Sequence, residues 1–304
     1  MPHAHVPSEI VHLAESGDPL AQEWLGDHLR NLELHEQAVR WYAEAAAHGS
    51  ASASYNLGWM YYHGRGVPQD YGAAMRLWHQ AGLQPMPRAL GSIGLLHERG
   101  AGVPQDYAEA ARWYQLAAEN GDAPANWFLG RLYARGLGVP RDPARSLRHL
   151  RRAADSGHRS AQYSLAVALL DQGDDAVLDE ALDWLRQAAA SGHVEARYLL
   201  GRMLARGERV PADPAGAAQQ LRGAAAHGHQ AARDELGLLM RDPALQDAHP
   251  WVQAIAQSHL DTLRQLAEMA DPGWDPARWT RDQVAAAFDC VDQLREALAA
   301  LYRS

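Results

Sequence analysis

Residues 53–82 read ASYNLGWMYYHGRGVPQDYGAAMRLWHQAG, and the fold is decided in this stretch. Ala53, Leu57, Met60 and Tyr61 recur at helical spacing. Gly64-Arg65-Gly66 then stops the helix, because glycine is costly in a helix interior and accepts left-handed backbone. Pro68 forces Val67 into extended backbone, and Asp70 stands where a side-chain oxygen can cap the next helix. That second helix, from Tyr71 to Gln80, carries Ala74, Leu77 and Trp78 on one face. The stretch therefore predicts a helix, a loop and a second helix.

The pattern returns in both directions along the chain. Tyr55-Asn56-Leu57-Gly58 recurs as Gly91-Ser92-Ile93-Gly94, Trp127-Phe128-Leu129-Gly130, Tyr163-Ser164-Leu165-Ala166, Tyr198-Leu199-Leu200-Gly201 and Asp234-Glu235-Leu236-Gly237. Successive Gly or Ala positions stand 36, 36, 36, 35 and 36 residues apart, and Leu25-Gly26 lies 32 before the first. Val67-Pro68-Gln69-Asp70 returns in the same phase as Val103-Pro104-Gln105-Asp106, Val139-Pro140-Arg141-Asp142 and Val210-Pro211-Ala212-Asp213. Gly-bearing turns close the units at Asn120-Gly121, Ser156-Gly157-His158, Ser191-Gly192-His193 and His227-Gly228-His229. Alanine pairs such as Ala117-Ala118 and Ala153-Ala154 allow close helix approach. Helix pairs this short bury their apolar faces only against neighbours, so the period predicts a stack with caps at its ends.

Taken together, the Leu-Gly, the Gly-x-Gly-Val-Pro-x-Asp loop, the Ala-Ala pair and the closing Gly resemble the Sel-one-like repeats, tetratricopeptide relatives with a longer loop between their helices. The segments 89–121 and 125–157 match most fully, and the resemblance covers roughly residues 8–245. It implies an all-α fold, a right-handed α-α superhelical solenoid of about six helix-pair repeats, and a non-enzymatic adaptor or scaffold whose ligand the family does not name. Residues 1–245 are read as the solenoid and 246–304 as a C-terminal helical extension or cap. In that extension, 250–270 and 280–302 carry apolar stripes on either side of Asp271-Pro272-Gly273-Trp274-Asp275-Pro276, the pattern of a hairpin that caps the stack or forms a homodimer contact. Three places depart from the repeat: Asn31-Leu32-Glu33-Leu34, Gln84-Pro85-Met86-Pro87, and Asp171-Gln172-Gly173-Asp174-Asp175 with Ala166 in place of Gly.

Composition narrows the function. With 47% hydrophobic residues in 304, the chain is able to bury a core, and its formal net charge of −9 opposes general binding to nucleic acid or anionic membrane. All 28 basic residues are arginine, so no lysine Schiff base or phosphate-loop lysine exists. The lone Cys290 permits no intramolecular disulfide, is expected on a packed face beside Phe288 and Val291, and fits a reducing compartment. No basic region followed by an apolar run opens the chain, so a cytoplasmic location is expected; secretion without a signal would leave the same trace. Metal motifs, nucleophile elbows and dinucleotide fingerprints are absent, which leaves no catalytic residue, no metal site and no cofactor to name. His158, His193 and His229 follow turn glycines at a repeat position and read as turn or surface residues rather than ligands.

The expected partner is another protein or peptide. In tetratricopeptide-like stacks the first helix of each pair lines the concave surface, and the face opposite Ala53, Leu57 and Met60 carries Tyr55, Trp59 and Tyr62. Equivalent positions hold Trp127 and Arg131, Tyr163 and Val167, and Tyr198 and Arg202. Aromatic residues and arginine dominate interface energetics. The family pattern favours an aromatic at Tyr55, Trp127, Tyr163 and Tyr198 for packing, whereas Trp59, Arg131 and Arg202 occupy a variable position and are the stronger candidates. The alternative is a secreted effector or a toxin-neutralising, immunity-type partner on the same scaffold.

Overall fold

The computed structural model describes residues 7–240, and among them it is all-helical, with fourteen α-helices, one 3-10 helix and no strand. A short α1 (Ser8–Glu15) precedes the pairs α2 (Pro19–Asn31) with α3 (His35–Ala47), α4 (Ala51–His63) with α5 (Tyr71–Gly82), α6 (Pro87–Arg99) with α7 (Tyr107–Glu119), and α8 (Ala123–Arg135) with α9 (Pro143–Asp155). Next come α10 (Arg159–Leu170) with α11 (Leu178–Ala190), α12 (Val194–Arg206) with α13 (Pro214–Ala225), and α14 (Gln230–Met240). The described residues fall into two compact units, one through Ala196 and one from Arg197. In the first, each helix packs chiefly on the helices before and after it in sequence, the quasi-one-dimensional contact order of a solenoid. In the second, α13 packs on α14. The expected C-terminal hairpin, the boundary at 246 and Cys290 lie outside the described residues.

The repeated Leu-Gly has a steric cause. A Cβ added at Gly58 would come within 2.6 Å of Trp78 Nε1, so glycine alone seats that indole, which is buried and donates to the Tyr55 carbonyl at 3.1 Å. Gly26, Gly94, Gly130 and Gly201 seat Tyr42, Tyr114, Leu150 and Leu221 in the same way. These seats fix how closely the two helices of a pair approach.

The loop carries the register between units. Gly64 adopts left-handed backbone at φ 65° and ends α4, and the Asp70 carboxylate accepts from the Ala73 amide at 2.9 Å to begin α5. The second glycine of the loop faces backward onto the preceding unit: Gly66 meets the backbone at His35 and Glu36, and Gly138 meets the backbone at Tyr107 and Ala108. In the unit without this loop, Asp174 caps the 3-10 helix Asp175–Val177. There Arg151 Nε and Nη2 reach Glu180 Oε1 and Oε2 at 3.0 Å each and tie α9 to α11. In α12–α13 the loop position of the second glycine is held by Arg209, which takes the left-handed conformation at φ 60°.

One reading of the sequence is corrected and a second is sharpened. Tyr62, expected on the face opposite the core, is buried at 7% exposure, whereas Tyr61, assigned to the core stripe, is half-buried. The row Ser54, Gly58, Tyr62 lies at i, i+4, i+8 and turns toward α5, where Tyr62 packs on Tyr71 and Trp78 with centroids 5.3 and 5.6 Å away. A first helix in a stack is thus buried on two faces. The histidines after the turn glycines are half-buried N-caps: Nδ1 of His158, His193 and His229 accepts the amides of Ala161, Ala196 and Ala232 at 3.2, 3.3 and 3.2 Å. They stand where Asp18, Ser50 and Asp122 cap α2, α4 and α8.

Candidate protein-interaction surface

Double burial leaves one stripe of each first helix open. On α4 the stripe holds Tyr55 and Trp59, both half-buried, with exposed His63. Trp59 lies 4.3 Å from the His63 ring, and the Arg65 guanidinium sits 5.0 Å over the indole. Tyr55 packs toward Trp78 at 6.5 Å. Tyr62, below the stripe, accepts from Arg99 Nη1 at 2.6 Å through its hydroxyl oxygen.

On α8 the same stripe is built from charge and aromatic surface together. Arg131 lies 4.9 Å over Trp127 and 6.0 Å over Phe128, while its Nη2 stands 3.3 Å from Glu98 Oε1 on α6. Glu98 Oε2 accepts the buried Tyr114 hydroxyl at 2.7 Å, and burial beside that carboxylate holds the phenol protonated well above its usual range. Trp127 Nε1 donates to Ser164 Oγ at 3.1 Å on α10. A related link at the start of the stack joins Tyr42, Asp27 and Asn56, with Asp27 Oδ1 accepting at 2.6 and 3.3 Å. Side chains of successive first helices are therefore tied to one another along the stripe.

Aromatic rings and capping histidines form a second series. Trp127 lies 5.3 Å from His158, Tyr163 stacks on His193 at 4.6 Å, and within the second unit Tyr198 stacks on His229 at 4.3 Å. Burial, then nearby Arg159, lowers the His158 pKa below the ordinary imidazole value. His193 is lowered mainly by burial, against the opposing pull of Glu195. Both favour the neutral ring whose Nδ1 accepts. Arg202 lies 5.7 Å over Tyr198, and its buried Nε has no hydrogen-bond partner among the described residues.

Of the expected residues, Tyr55, Trp59, Trp127, Arg131 and Tyr163 lie on the first-helix stripe of the first unit, and Tyr62 is covered. Tyr198 and Arg202 hold the equivalent positions in the second. Sequence reasoning missed Glu98 and Arg99, which hold the stripe from the neighbouring helix; at positions equivalent to Tyr62 and His63, they vary in type from unit to unit and leave no periodic signal. Among the described residues no group of three or more His, Cys, Asp or Glu side chains is placed to hold a metal, and no helix is long and apolar enough to cross a membrane.

Stacked helix pairs that repeat with one period define a helical-repeat protein. The chain belongs to the Sel1 repeat family, whose model matches residues 20–50, 51–85, 87–122, 123–158, 159–193 and 194–229. Proteins of this family are generally non-enzymatic scaffolds that mediate protein–protein interaction. Among solved structures, a Sel1 repeat protein from Oxalobacter formigenes is 26% identical, with 72% of this chain and 88% of that one covered and a TM-score of 0.62. A protective antigen of uropathogenic Escherichia coli strains displaying an SLR fold is 28% identical, with 76% of this chain covered and a TM-score of 0.60. This chain spans 50% of that antigen's length. No curated protein matches the chain.

Proposed function

We propose that this protein is an adaptor that grips a peptide or helix of a partner protein along the first-helix stripe. The reading is carried by Arg131, seated 4.9 Å over Trp127 and anchored by Glu98 at 3.3 Å. A guanidinium held in place over an indole presents a rigid cationic and aromatic surface, and little side-chain entropy is lost when a partner settles on it. Trp59 under Arg65, and Arg202 over Tyr198, repeat the pairing elsewhere in the chain. The single Cys290 supports a reducing, cytoplasmic setting for the adaptor.

Affinity capture with the full chain, compared with a chain in which Trp59, Arg131 and Arg202 are changed together to Ala, tests the reading. Specific partners are expected to be lost from the triple variant while it keeps its helical content and a cooperative unfolding transition. Survival of every specific partner on a folded triple variant sinks it.

A further inference from the structure

The second helices carry a surface that the first-helix stripe does not use. Between α7 and α9 runs an open groove of about 1050 Å³, floored by Leu129, Tyr133 and Val139 and flanked by Leu116, which is 42% exposed. Its rim is arginine: Arg112 from α7 and Arg145, Arg148 and Arg152 from α9. Glu119 is the sole carboxylate in the lining, and it accepts from Gln115 at 2.7 Å.

The charge is concentrated here against the trend of the molecule. The lining holds four arginines and one glutamate, in a chain of formal net charge −9. Some of these cations are engaged: Arg112 pairs with Glu109 at 3.1 Å and Arg145 with Asp142 at 3.2 Å, while Arg151 pairs with Glu180 outside the groove. Arg148 and Arg152 are exposed and have no ion-pair partner among the described residues. The groove also holds a sensor of its own potential. His149 lies flat on Tyr133, with centroids 5.6 Å apart and Nδ1 3.0 Å from Asn126 Oδ1. Burial first, then Arg152, Arg148 and Arg145, lower its pKa.

We propose that this groove docks a short acidic amphipathic helix of a partner protein, its carboxylates on the arginine rim and its apolar side chains against Leu116, Tyr133 and Val139. Arg145, Arg148 and Arg152 stand at i, i+3 and i+7 on α9, a row about 10 Å long, the spacing at which carboxylates repeat on one face of a facing helix. The apolar floor decides between protein and nucleic acid. A phosphodiester backbone offers nothing to an exposed Leu116, and the negative remainder of the chain repels a long polyanion. The surface is separate from the first-helix stripe, so either can fail alone.

The test uses the full chain and a fluorescent peptide of about 15 residues with Glu and Leu in amphipathic helical register. Comparators are the same peptide with Lys for Glu, a polyglutamate of equal length, and a short DNA duplex. The Glu/Leu peptide is expected to bind, with affinity falling about tenfold or more in Arg148→Glu/Arg152→Glu and unchanged in Arg186→Glu, an exposed arginine on α11. Binding is also expected to raise the His149 pKa, followed by NMR on the imidazole, because carboxylates offset the three arginines. Equal binding of the Lys peptide, or binding indifferent to the double variant, overturns the proposal. So does polyglutamate or DNA binding as tightly as the Glu/Leu peptide, which would make the groove a general polyanion surface.

Discussion

The imidazole of His193 lies on the phenol ring of Tyr163, with centroids 4.6 Å apart and planes 23° from parallel. The same imidazole accepts the Ala196 amide through Nδ1, so one side chain both starts α12 and covers an aromatic ring of the preceding repeat. His158 does both for α10 and Trp127. The repeat aromatics are therefore packed partly by the caps that follow them, while Trp59 and Arg131 are held by cation–π and ionic contacts within the stripe.

Capping through Nδ1 requires a neutral ring, and this sets a pH dependence. The folded pKa values of His158 and His193 lie below the unfolded value of about 6.5. As pH falls through that region the unfolded chain takes up protons that the folded chain resists, so stability is full above pH about 6.5 and is lost as pH falls through the folded values. His149 acts in the same direction. The thermal midpoint is expected to fall between about pH 7 and pH 5. His158→Asp with His193→Asp, which copies the cap at Asp122, should flatten the histidine part of that fall. An unchanged slope in this double variant would show that the caps do not titrate as described.

Two loop glycines separate backbone strain from collision. Gly157 has φ 79° and nothing within 4 Å of an added Cβ, so Gly157→Ala should cost about 1–2 kcal/mol. Gly138, at φ 67°, faces the backbone at Tyr107 and Ala108, and Gly138→Ala must displace the loop from the preceding unit as well. Denaturant unfolding should show it to be clearly the more damaging change; equal losses would mean that the loop does not set register.

Arg209 bears the converse strain. It holds at φ 60° the place that Gly66, Gly102 and Gly138 hold in other loops. Arg209→Gly should be more stable than Arg209→Ala by about 1 kcal/mol, read by the same unfolding measurement, because both remove the side chain and only glycine relieves the left-handed penalty.

Glu98 joins the interaction stripe to the core, and its removal distinguishes the two. Glu98→Ala leaves the buried Tyr114 hydroxyl without its acceptor and should cost about 1–3 kcal/mol. Arg131→Ala removes a pair whose arginine side chain is 32% exposed and should cost about 1 kcal/mol or less. Adding Tyr114→Phe to Glu98→Ala should recover much of the loss. A double-mutant cycle showing no coupling between Tyr114 and Glu98 would refute this account.

The sequence alone determined the repeat: the 36-residue phase, the helix–loop–helix unit, the Asp70-type caps and the stop at Gly64 all follow from local rules of backbone and periodicity. It also placed Trp59 and Arg131 on the first-helix stripe, since 100° per residue fixes which side chains share a face. Tertiary structure decided what local rules cannot contain. Tyr62 is buried because the first helix packs on two sides, a fact about neighbours rather than about its own period. The histidines became caps because their rings also rest on aromatics about 30 residues away, and Arg131 acquired its anchor, Glu98, from another helix. The arginine groove emerged only when α7 and α9, separated in sequence by a whole first helix, were brought side by side.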